Sequence, residues 1–499
     1  MSISMSVENR PEPEPVPVAL AAVTESDPQR IRAVFASQQE TALRWRESTA
    51  NERIARIRKL RSALLAQRAA LHAAFMQDYR KSPSEVEATE LLPVLDEMRH
   101  AIGRVKRWMK PRKVWPTATM LGTSGWKQYQ PRGRVLIIAP WNYPLSLCFG
   151  PLVSALAAGN TAIIKPSEMT PAVSALMGRI IREVFPESEV ALFEGALATS
   201  QTLLELPFDH IFFTGSPAVG KIVMAAAAKH LTSVTLELGG KSPTIVTPSA
   251  DLKLAAETLM WGKFLNAGQT CIAPDYVYVH ESVKSAFIIE CRAVLQARYG
   301  ASSVDQKRSP DLTRIVNRRH AQRVAALLDD ATARGAVVET GGVVDLEQCY
   351  VAPTVLDEVP VDAAIMQEEI FGPLLPILGF TQLEQVIANI NARPKPLALY
   401  IWSRDRQEIR TVLARTSSGG ACVNHCVMQF AHGELPFGGV NNSGIGSAHG
   451  HYGFLAFSHE RAVLRSSPLM LVKMFFPPFT KARSRLIRGV VDLLRLPML

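Results

Sequence analysis

A chain of 499 residues accommodates two or three domains at roughly 150 residues each, and its 47% apolar and 20% charged residues supply large cores without any need for covalent staples. The net charge of +10 admits an acidic partner, but the excess sits in patches such as Arg104 to Lys113 and Lys473 to Arg495 with no interleaved aromatic ladder, which speaks against nucleic acid. Six scattered cysteines (Cys148, Cys271, Cys291, Cys349, Cys422 and Cys426) contain no CxxC pair, so neither a metal site nor a disulfide framework is expected, and a reducing, cytoplasmic compartment fits.

The opening MSISMSVENRPEPEPVPVAL lacks a basic region followed by a long apolar stretch, so no signal peptide is expected. Pro11, Pro13, Pro15 and Pro17 alternate with Glu and Val, which predicts an extended, disordered arm over 1–28. From about Asp27 to Lys110 the apolar residues recur at helical spacing, as in Leu60, Leu64, Leu65, Leu71 and Phe75. Pro111 ends that section, and Arg112 to Arg132 is mixed, with Gly and Pro punctuation. The rhythm then changes. RVLIIA (134–139) reads as a buried strand, 147–158 as a helix and TAIIK (161–165) as a second strand. Thr170-Pro171 has the form of a helix start, with Thr as cap and Pro at the first turn. HIFFT (210–214), a helix through Ala227 and SVTLEL (233–238) complete the series. Strand and helix alternating in this way predict an α/β fold with a parallel sheet covered on both faces. A second alternating region runs from Thr244 to about Ile401, with a strand at 276–280 and helices near 252–264 and 320–334. No uncharged apolar run approaches the ~20 residues of a membrane-spanning helix.

Two segments of the first half suit a nucleotide. Thr214-Gly215-Ser216-Pro217-Ala218-Val219-Gly220 joins a strand to a helix, where free N–H groups and the helix dipole favour a pyrophosphate and Gly215 permits close backbone approach. The GxGxxG spacing is absent, so an ordinary strand-to-helix turn is the competing reading. Lys165-Pro166-Ser167-Glu168 ends the TAIIK strand at the sheet edge where open α/β sheets bind ligands, and its Lys and carboxylate suit ribose hydroxyls; a solvated loop is the alternative.

Three residues suit chemistry. Cys271 follows Phe264-Leu265-Asn266-Ala267-Gly268-Gln269-Thr270, a polar, Gly-containing run that could present a nucleophile, although a lone Cys is commonly a small core residue. Glu237 lies inside the apolar strand Leu236-Glu237-Leu238 before Gly239-Gly240, where burial would raise its pKa toward that of a general base; a strand-edge Glu facing water is the alternative. Asn142, in Pro140-Trp141-Asn142-Tyr143-Pro144, could donate to an oxyanion or be a turn Asn.

PWNYP, KPSE, FFTGSPAVG, LELGGKSP, NAGQTC, EEIFGP and LPFGG occur in this order, and over about Gln29 to Leu464 the chain resembles the aldehyde dehydrogenase superfamily. WMKPRKV (108–114), CIAPDYV (271–277) and HGHYGF with FSHERAVL (449–464) resemble its class 3 branch of fatty and aromatic aldehyde dehydrogenases. The resemblance implies a Rossmann-like parallel-sheet cofactor domain over 29–110 and 131–238, an α/β catalytic domain over 239–424, and small β bridging segments at 111–130 and 425–464 that join a homodimer. It implies NAD or NADP as cofactor and an apolar aliphatic or aromatic aldehyde as substrate, oxidised to the acid. Cys271 would form a thiohemiacetal and then a thioester, Asn142 and the Cys271 N–H would hold the oxyanion, and Glu237 would activate water. Lys165, Glu168, Gly215, Ser216 and Gly220 would hold the adenosine and phosphates, while Glu369 and Phe371 of EEIFGP would hold the nicotinamide ribose and pack on the ring.

Two features depart from that pattern. Asn441-Asn442-Ser443 stands where relatives often carry Gly. His425, Cys426 and His432 cluster in the sequence, but with no zinc spacing, and suit a substrate funnel or subunit contact better. Past 465 comes a tail in which Leu486, Ile487, Val490, Val491, Leu493 and Leu494 share one helical face and Lys481, Arg485, Arg488, Asp492 and Arg495 the other, with Arg483 interrupting the apolar side. Peripheral contact of 481–496 with the inner face of a membrane, capping of the substrate funnel, packing on a partner subunit and packing on the chain itself all fit. Two other functions compete: a binding protein on a dehydrogenase scaffold, against which stands the presence of Cys271, Glu237 and Asn142, and a thiol acyl-transfer enzyme without redox chemistry, which leaves the nucleotide elements unused.

Overall fold

The computed structural model describes residues 24–117, 120–468 and 470–493. Most of the expected N-terminal arm therefore lies outside the described residues, but its last part differs from expectation. The Glu25 carboxylate accepts hydrogen bonds from the N–H groups of Ala196, Ala198 and Thr199 at 3.0, 3.2 and 2.9 Å. It caps the Leu197–Leu204 helix, so the chain is anchored from Glu25 rather than from residue 29.

Six strands form the first large sheet, in the order Gly444–Ile445, Ser233–Leu238, His210–Gly215, Arg134–Ile138, Thr161–Lys165, Val190–Leu192. All neighbours are parallel except Gly444–Ile445, which runs antiparallel on the outer edge of Ser233–Leu238. The Thr161–Lys165 strand is buried along its whole length, as a parallel strand with helices on both faces must be. Helices Ala50–Ala66, Leu92–Trp108, Pro144–Ala158 and Pro171–Val184 bury one face around Leu60, Met98, Phe149 and Ile180. Pro28–Trp45 and Pro217–Ala228 bury the other around Ile31, Phe213 and Val223.

The second sheet has seven strands, ordered Val337–Thr340, Thr354–Asp357, Leu374–Phe380, Tyr276–His280, Pro243–Val246, Ala398–Trp402, Gly420–Val423. Only its Val337–Thr340 edge is antiparallel. A third, antiparallel sheet joins Arg112–Val114, Thr123–Pro131 and Ser458–Ser466. Ser458–Ser466 begins within the 425–464 stretch read as bridging and runs two residues past it, whereas Gly444–Ile445 of that stretch belongs to the six-stranded sheet.

Some helix ends follow local chemistry and others are closed by residues distant in sequence. Thr49 and Glu52 form a reciprocal capping box on Ala50–Ala66, and Ser216 caps Pro217–Ala228. Thr170 does not cap Pro171–Val184 as its sequence position suggests; its buried hydroxyl has no partner. The Asp78 carboxylate takes that role from a distant helix, accepting from Ala172 and Val173 N–H at 3.1 and 3.0 Å. A comparable long-range cap closes the C-terminal end of the buried central helix Pro144–Ala158. Arg53, buried, donates through Nη1 to the carbonyls of Ala157 and Ala158 at 3.0 and 2.6 Å, and through Nε to the Ser48 hydroxyl at 3.0 Å. Arg53→Leu removes three charge-assisted bonds and strands two buried carbonyls, a loss on the order of 3 kcal/mol. Its melting temperature by scanning calorimetry should fall by roughly 5 °C or more; an unchanged melting point would show that the cap is dispensable.

Candidate active site

In a parallel sheet all strands end at one edge, and the ends of four strands carry the residues singled out above. Register places Ile138 beside Lys165 and Phe213, and Thr214 beside Glu237. The turn after Ile138 holds Asn142, the turn after Lys165 holds Glu168, the turn after Gly215 holds Ser216, and Glu237 sits just before the end of its own strand. Opposite this edge, the Leu252–Phe264 helix runs into Asn266, Ala267 and Gly268, all with positive φ of 53°, 53° and 73°. Three successive left-handed residues turn the chain sharply and aim Cys271 at the sheet edge; such a turn, unfavourable for Asn and Ala, persists only where its surroundings fix it.

Those surroundings are a hydrogen-bond lattice. The Asn142 side-chain amide donates to the Gln269 carbonyl at 2.9 Å, and Asn266 Nδ2 donates back to the Asn142 carbonyl at 2.8 Å. The Glu85 carboxylate accepts from Asn266 N–H at 2.6 Å and from the Thr313 hydroxyl at 2.8 Å. Gln269 donates to the Asn266 and Arg314 carbonyls and accepts from Val316 N–H. One amide hydrogen of Asn142 is thus committed to holding the turn, which leaves the other free; Asn142 itself is not in the cavity wall, whereas its neighbour Tyr143 is.

Cys271 and Glu237 meet in the wall of one cavity of about 410 Å³. Leu92, Leu147, Trp261, Met428, Phe430 and Phe437 make most of the remaining wall apolar. Glu237 is 4% exposed, so it does not face water, and its Oε1 is buried without a partner. Burial raises its pKa to about 7, and His449 nearby opposes the rise. Burial, reinforced by the Glu369 and Glu237 carboxylates, pushes the Cys271 thiol well above its usual range, while the N–H groups of Cys271 and Ile272 pull the other way. Glu369 is raised to about 8, chiefly by burial and by Asp275. Burial and the two neighbouring carboxylates thus act on the sulfur in the same direction, against the thiolate.

The cofactor candidates also have definite places. Lys165 Nζ pairs with Glu168 at 3.0 Å. Ser216 Oγ accepts from Val219 N–H at 3.4 Å at the start of a twelve-residue helix. A side chain at Gly215 would strike the Phe213 ring, and one at Gly220 would strike Leu238 at 2.7 Å, so Gly220 is needed for the helix to lie on the sheet. Phe371, at φ 46°, sets its ring edge-on to Trp141 with centroids 5.4 Å apart. Lys241 anchors the loop bearing Glu369 and Phe371, donating to the Ile365 and Glu368 carbonyls, and Asp275 accepts from Ile370 N–H at 3.0 Å while pairing with Lys241.

Several of these residues escape sequence reading. Lys241, between Gly240 and Ser242, and Asp275, between Pro274 and Tyr276, stand in motifs, but nothing local pairs them with each other. Glu85 and the Glu97–His449 contact across the cavity carry no local signal. His425 and Cys426 bind neighbouring groups rather than each other's ligands: His425 Nδ1 lies 2.7 Å from the Cys426 carbonyl, and Cys426 Sγ donates to the Thr258 carbonyl. Among the described residues no three His, Cys, Asp or Glu side chains are arranged to hold a metal.

A sequence profile of the Aldehyde dehydrogenase family matches residues 13–463. The 4,4'-diaponeurosporen-aldehyde dehydrogenase of Staphylococcus aureus is 43% identical over 448 residues, covering 90% of this chain and 95% of that protein. Human aldehyde dehydrogenase family 3 member B1 is 43% identical over 444 residues, covering 89% and 93%. The solved structure of a substrate-bound state of Staphylococcus aureus AldH superposes with a TM-score of 0.88 at 41% identity, over 92% of this chain and 99% of that one. With its fold, its motif order and its class 3 relatives in agreement, the chain belongs to the aldehyde dehydrogenase family, the oxidoreductases that convert aldehydes to acids with NAD or NADP.

Proposed function

We propose that Cys271, Glu237 and Asn142 carry this oxidation for aldehydes with an apolar chain or ring. The observation behind the reading is the meeting of Cys271 and Glu237 at one apolar cavity. The Cys271 thiol gives up its proton to solvent, the thiolate attacks the aldehyde carbon as the carbonyl π bond breaks, and the resulting oxyanion takes hydrogen bonds from the second Asn142 amide hydrogen and the Cys271 N–H. NAD or NADP would supply the hydride acceptor for that carbon, and Cys271 would then carry the acyl group as a thioester. The Glu237 carboxylate then removes a proton from water, the hydroxyl oxygen adds to the thioester carbon, and the C–S bond breaks to return the thiolate. Lys165, Glu168, Gly215, Ser216 and Gly220 suit the adenosine and phosphate end of NAD or NADP, because a helix N-terminus and a Lys–carboxylate pair stand together at the sheet edge. Glu369 and Phe371 suit the nicotinamide end. Each added methylene buried in the funnel contributes about 0.8 kcal/mol, so kcat/KM should rise about fourfold per carbon across a series of straight-chain aldehydes until the cavity is full. A flat series would refute the apolar funnel.

The division of roles is tested by replacing each group. Cys271→Ser should abolish NADH formation. Glu237→Gln should leave the first hydride transfer intact but slow release of the acyl group by about 10²-fold or more. The active form of Glu237 is the carboxylate, whose pKa is raised to about 7; acyl release should therefore rise with pH through 7 and fall roughly tenfold per pH unit below it. Wild-type acyl release in Glu237→Gln would remove Glu237 from this role.

We further propose that the chain forms a homodimer through the three-stranded sheet and meets an anionic membrane surface through its tail. Trp115, Leu121 and Leu464 expose large apolar surfaces on or beside that sheet. The tail helix Lys481–Leu493 packs against the Leu471–Phe475 turn, and Arg483, which interrupts the apolar face in sequence, donates to the Phe476 and Pro478 carbonyls. Phe476, Phe479, Leu486 and Val491 stay exposed, beside exposed Lys481, Arg485 and Arg488. No helix among the described residues is long and apolar enough to cross a membrane. Truncation after Thr480 should abolish sedimentation with phosphatidylserine vesicles while light scattering still reports a dimer. Undiminished sedimentation excludes the tail, and a monomeric mass excludes the sheet as the dimer contact.

A further inference from the structure

Glu237 has one carboxylate oxygen buried without a partner, and a base that takes a proton in an apolar pocket needs somewhere to send it. Across the same cavity stands His449, whose Nε2 is likewise buried and without a partner. Its ring is held edge-on by Phe430 and Phe437, with centroids 4.7 and 5.3 Å away. Its Nδ1 lies 3.9 Å from Glu97 Oε2. Glu97 is itself buried, and both its oxygens accept the Gly450 N–H, at 2.9 and 3.1 Å. The carboxylate therefore fixes the backbone directly after His449 as well as facing its ring.

The backbone of His449 reinforces the point. Its φ of 68° with ψ of 141° is a conformation open in practice to glycine alone. A histidine kept there by a buried carboxylate is positioned at a cost on the order of 1–3 kcal/mol, and such outliers cluster at functional sites. The tether on the other side is short: five residues earlier, Gly444 pairs with Glu237 itself in the edge strand.

We propose that His449, held by Glu97, is a positioning residue for Glu237 that receives the proton Glu237 takes from the hydrolytic water. This rests on the reading of Glu237 as the base. The proton moves from water to the Glu237 carboxylate as oxygen bonds to the thioester carbon and the C–S bond breaks. It then passes from Glu237 through water in the cavity that both residues line to His449 Nε2, since the two groups are not hydrogen-bonded to each other, and the imidazolium is balanced by the Glu97 carboxylate. Electrostatics favour the hand-off: burial lowers the proton affinity of His449, but Glu97 and Glu237 outweigh it and the net direction is up, toward that of Glu237. The charged and titratable groups facing this pair are Glu97 and Asp96 with His100 from the Leu92–Trp108 helix, Glu434 of the neighbouring loop, which lies 3.8 Å from His100, and Cys271.

The test uses the full-length enzyme, following acyl-enzyme decay by rapid quench and mass measurement. His449→Gln should form the acyl-enzyme at the wild-type rate but lose it about tenfold more slowly. Because a cationic His449 lowers the proton affinity of Glu237, its removal should also move the acid limb of decay to higher pH, and added imidazole should restore part of the rate. Glu97→Gln keeps an acceptor for Gly450 N–H but no charge, and should shift decay and limb in the same directions by less. Wild-type decay with an unmoved acid limb in His449→Gln overturns the proposal. Should that variant fail to fold, an unmoved limb in Glu97→Gln does the same. If Glu237→Gln is slow while His449→Gln is not, only the proton partner is lost; if Glu237→Gln is not slow, the reading of the base fails first.

Discussion

The chemistry depends on a lattice of buried amides that locks two separately folded sheets in register. The proposed nucleophile belongs to the second α/β body and the proposed base to the first, so no single strand or helix sets their relation. The reciprocal bonds between Asn142 and the Asn266–Gln269 turn, with Glu85 and Gln269 bracing that turn from behind, span the junction. Each such bond contributes only about 1 kcal/mol net, but losing one partner strands a buried amide at a cost of about 1–3 kcal/mol. The lattice therefore tolerates little: it is fully made, or the left-handed turn at Asn266 and Ala267 relaxes and Cys271 leaves the sheet edge.

The same burial that gives the lattice its stiffness sets the protonation of the site. Cys271, Glu237 and Glu369 all have their charged forms disfavoured by desolvation, and two carboxylates near one sulfur raise each other further. The remedy elsewhere in the chain is pairing. Lys81 and Glu90 face each other with no exposure, and Glu90 also accepts the Ser146 N–H at the start of the central helix. Lys241 and Asp275 are paired beneath the Glu369 loop. Around the sulfur, burial and the Glu369 and Glu237 carboxylates act together to disfavour the thiolate.

How much of this is written in the sequence follows from range. Strands that are wholly or mostly buried, such as Thr161–Lys165 and Ser233–Leu238, announce themselves by short runs rich in apolar and β-branched residues, and the residue limits read from sequence match the structure. The position of Glu237 in such a run was likewise visible, because a carboxylate among β-branched and aliphatic neighbours demands a reason. The Thr170 cap was misread because local chemistry is permissive: a Thr before a Pro suits a cap, but Asp78 reaches the same N–H groups with a stronger acceptor from a helix some ninety residues away. Glu97 and His449 are farther apart still. Neither residue looks unusual among its neighbours, and their relation exists only once the Leu92–Trp108 helix lies under the Gly450 backbone.

That distance explains the form of the edge strand. Two residues, Gly444 and Ile445, contribute little to the stability of a six-stranded sheet, and a parallel sheet gains nothing in closure from an antiparallel fragment on its margin. What they do is fix register against the strand carrying Glu237, through the Gly444–Glu237 pair and the Leu238 N–H bond to the Ser443 carbonyl at 3.1 Å. A side chain at Gly444 would sit 2.4 Å from the Leu236 carbonyl, so the close approach requires glycine. From there the chain has only four residues in which to bring His449 to the cavity wall, with its φ forced positive and Glu97 holding the N–H beyond it. The short strand is thus best understood as a ruler: it measures the position of an imidazole from the backbone of the carboxylate it faces.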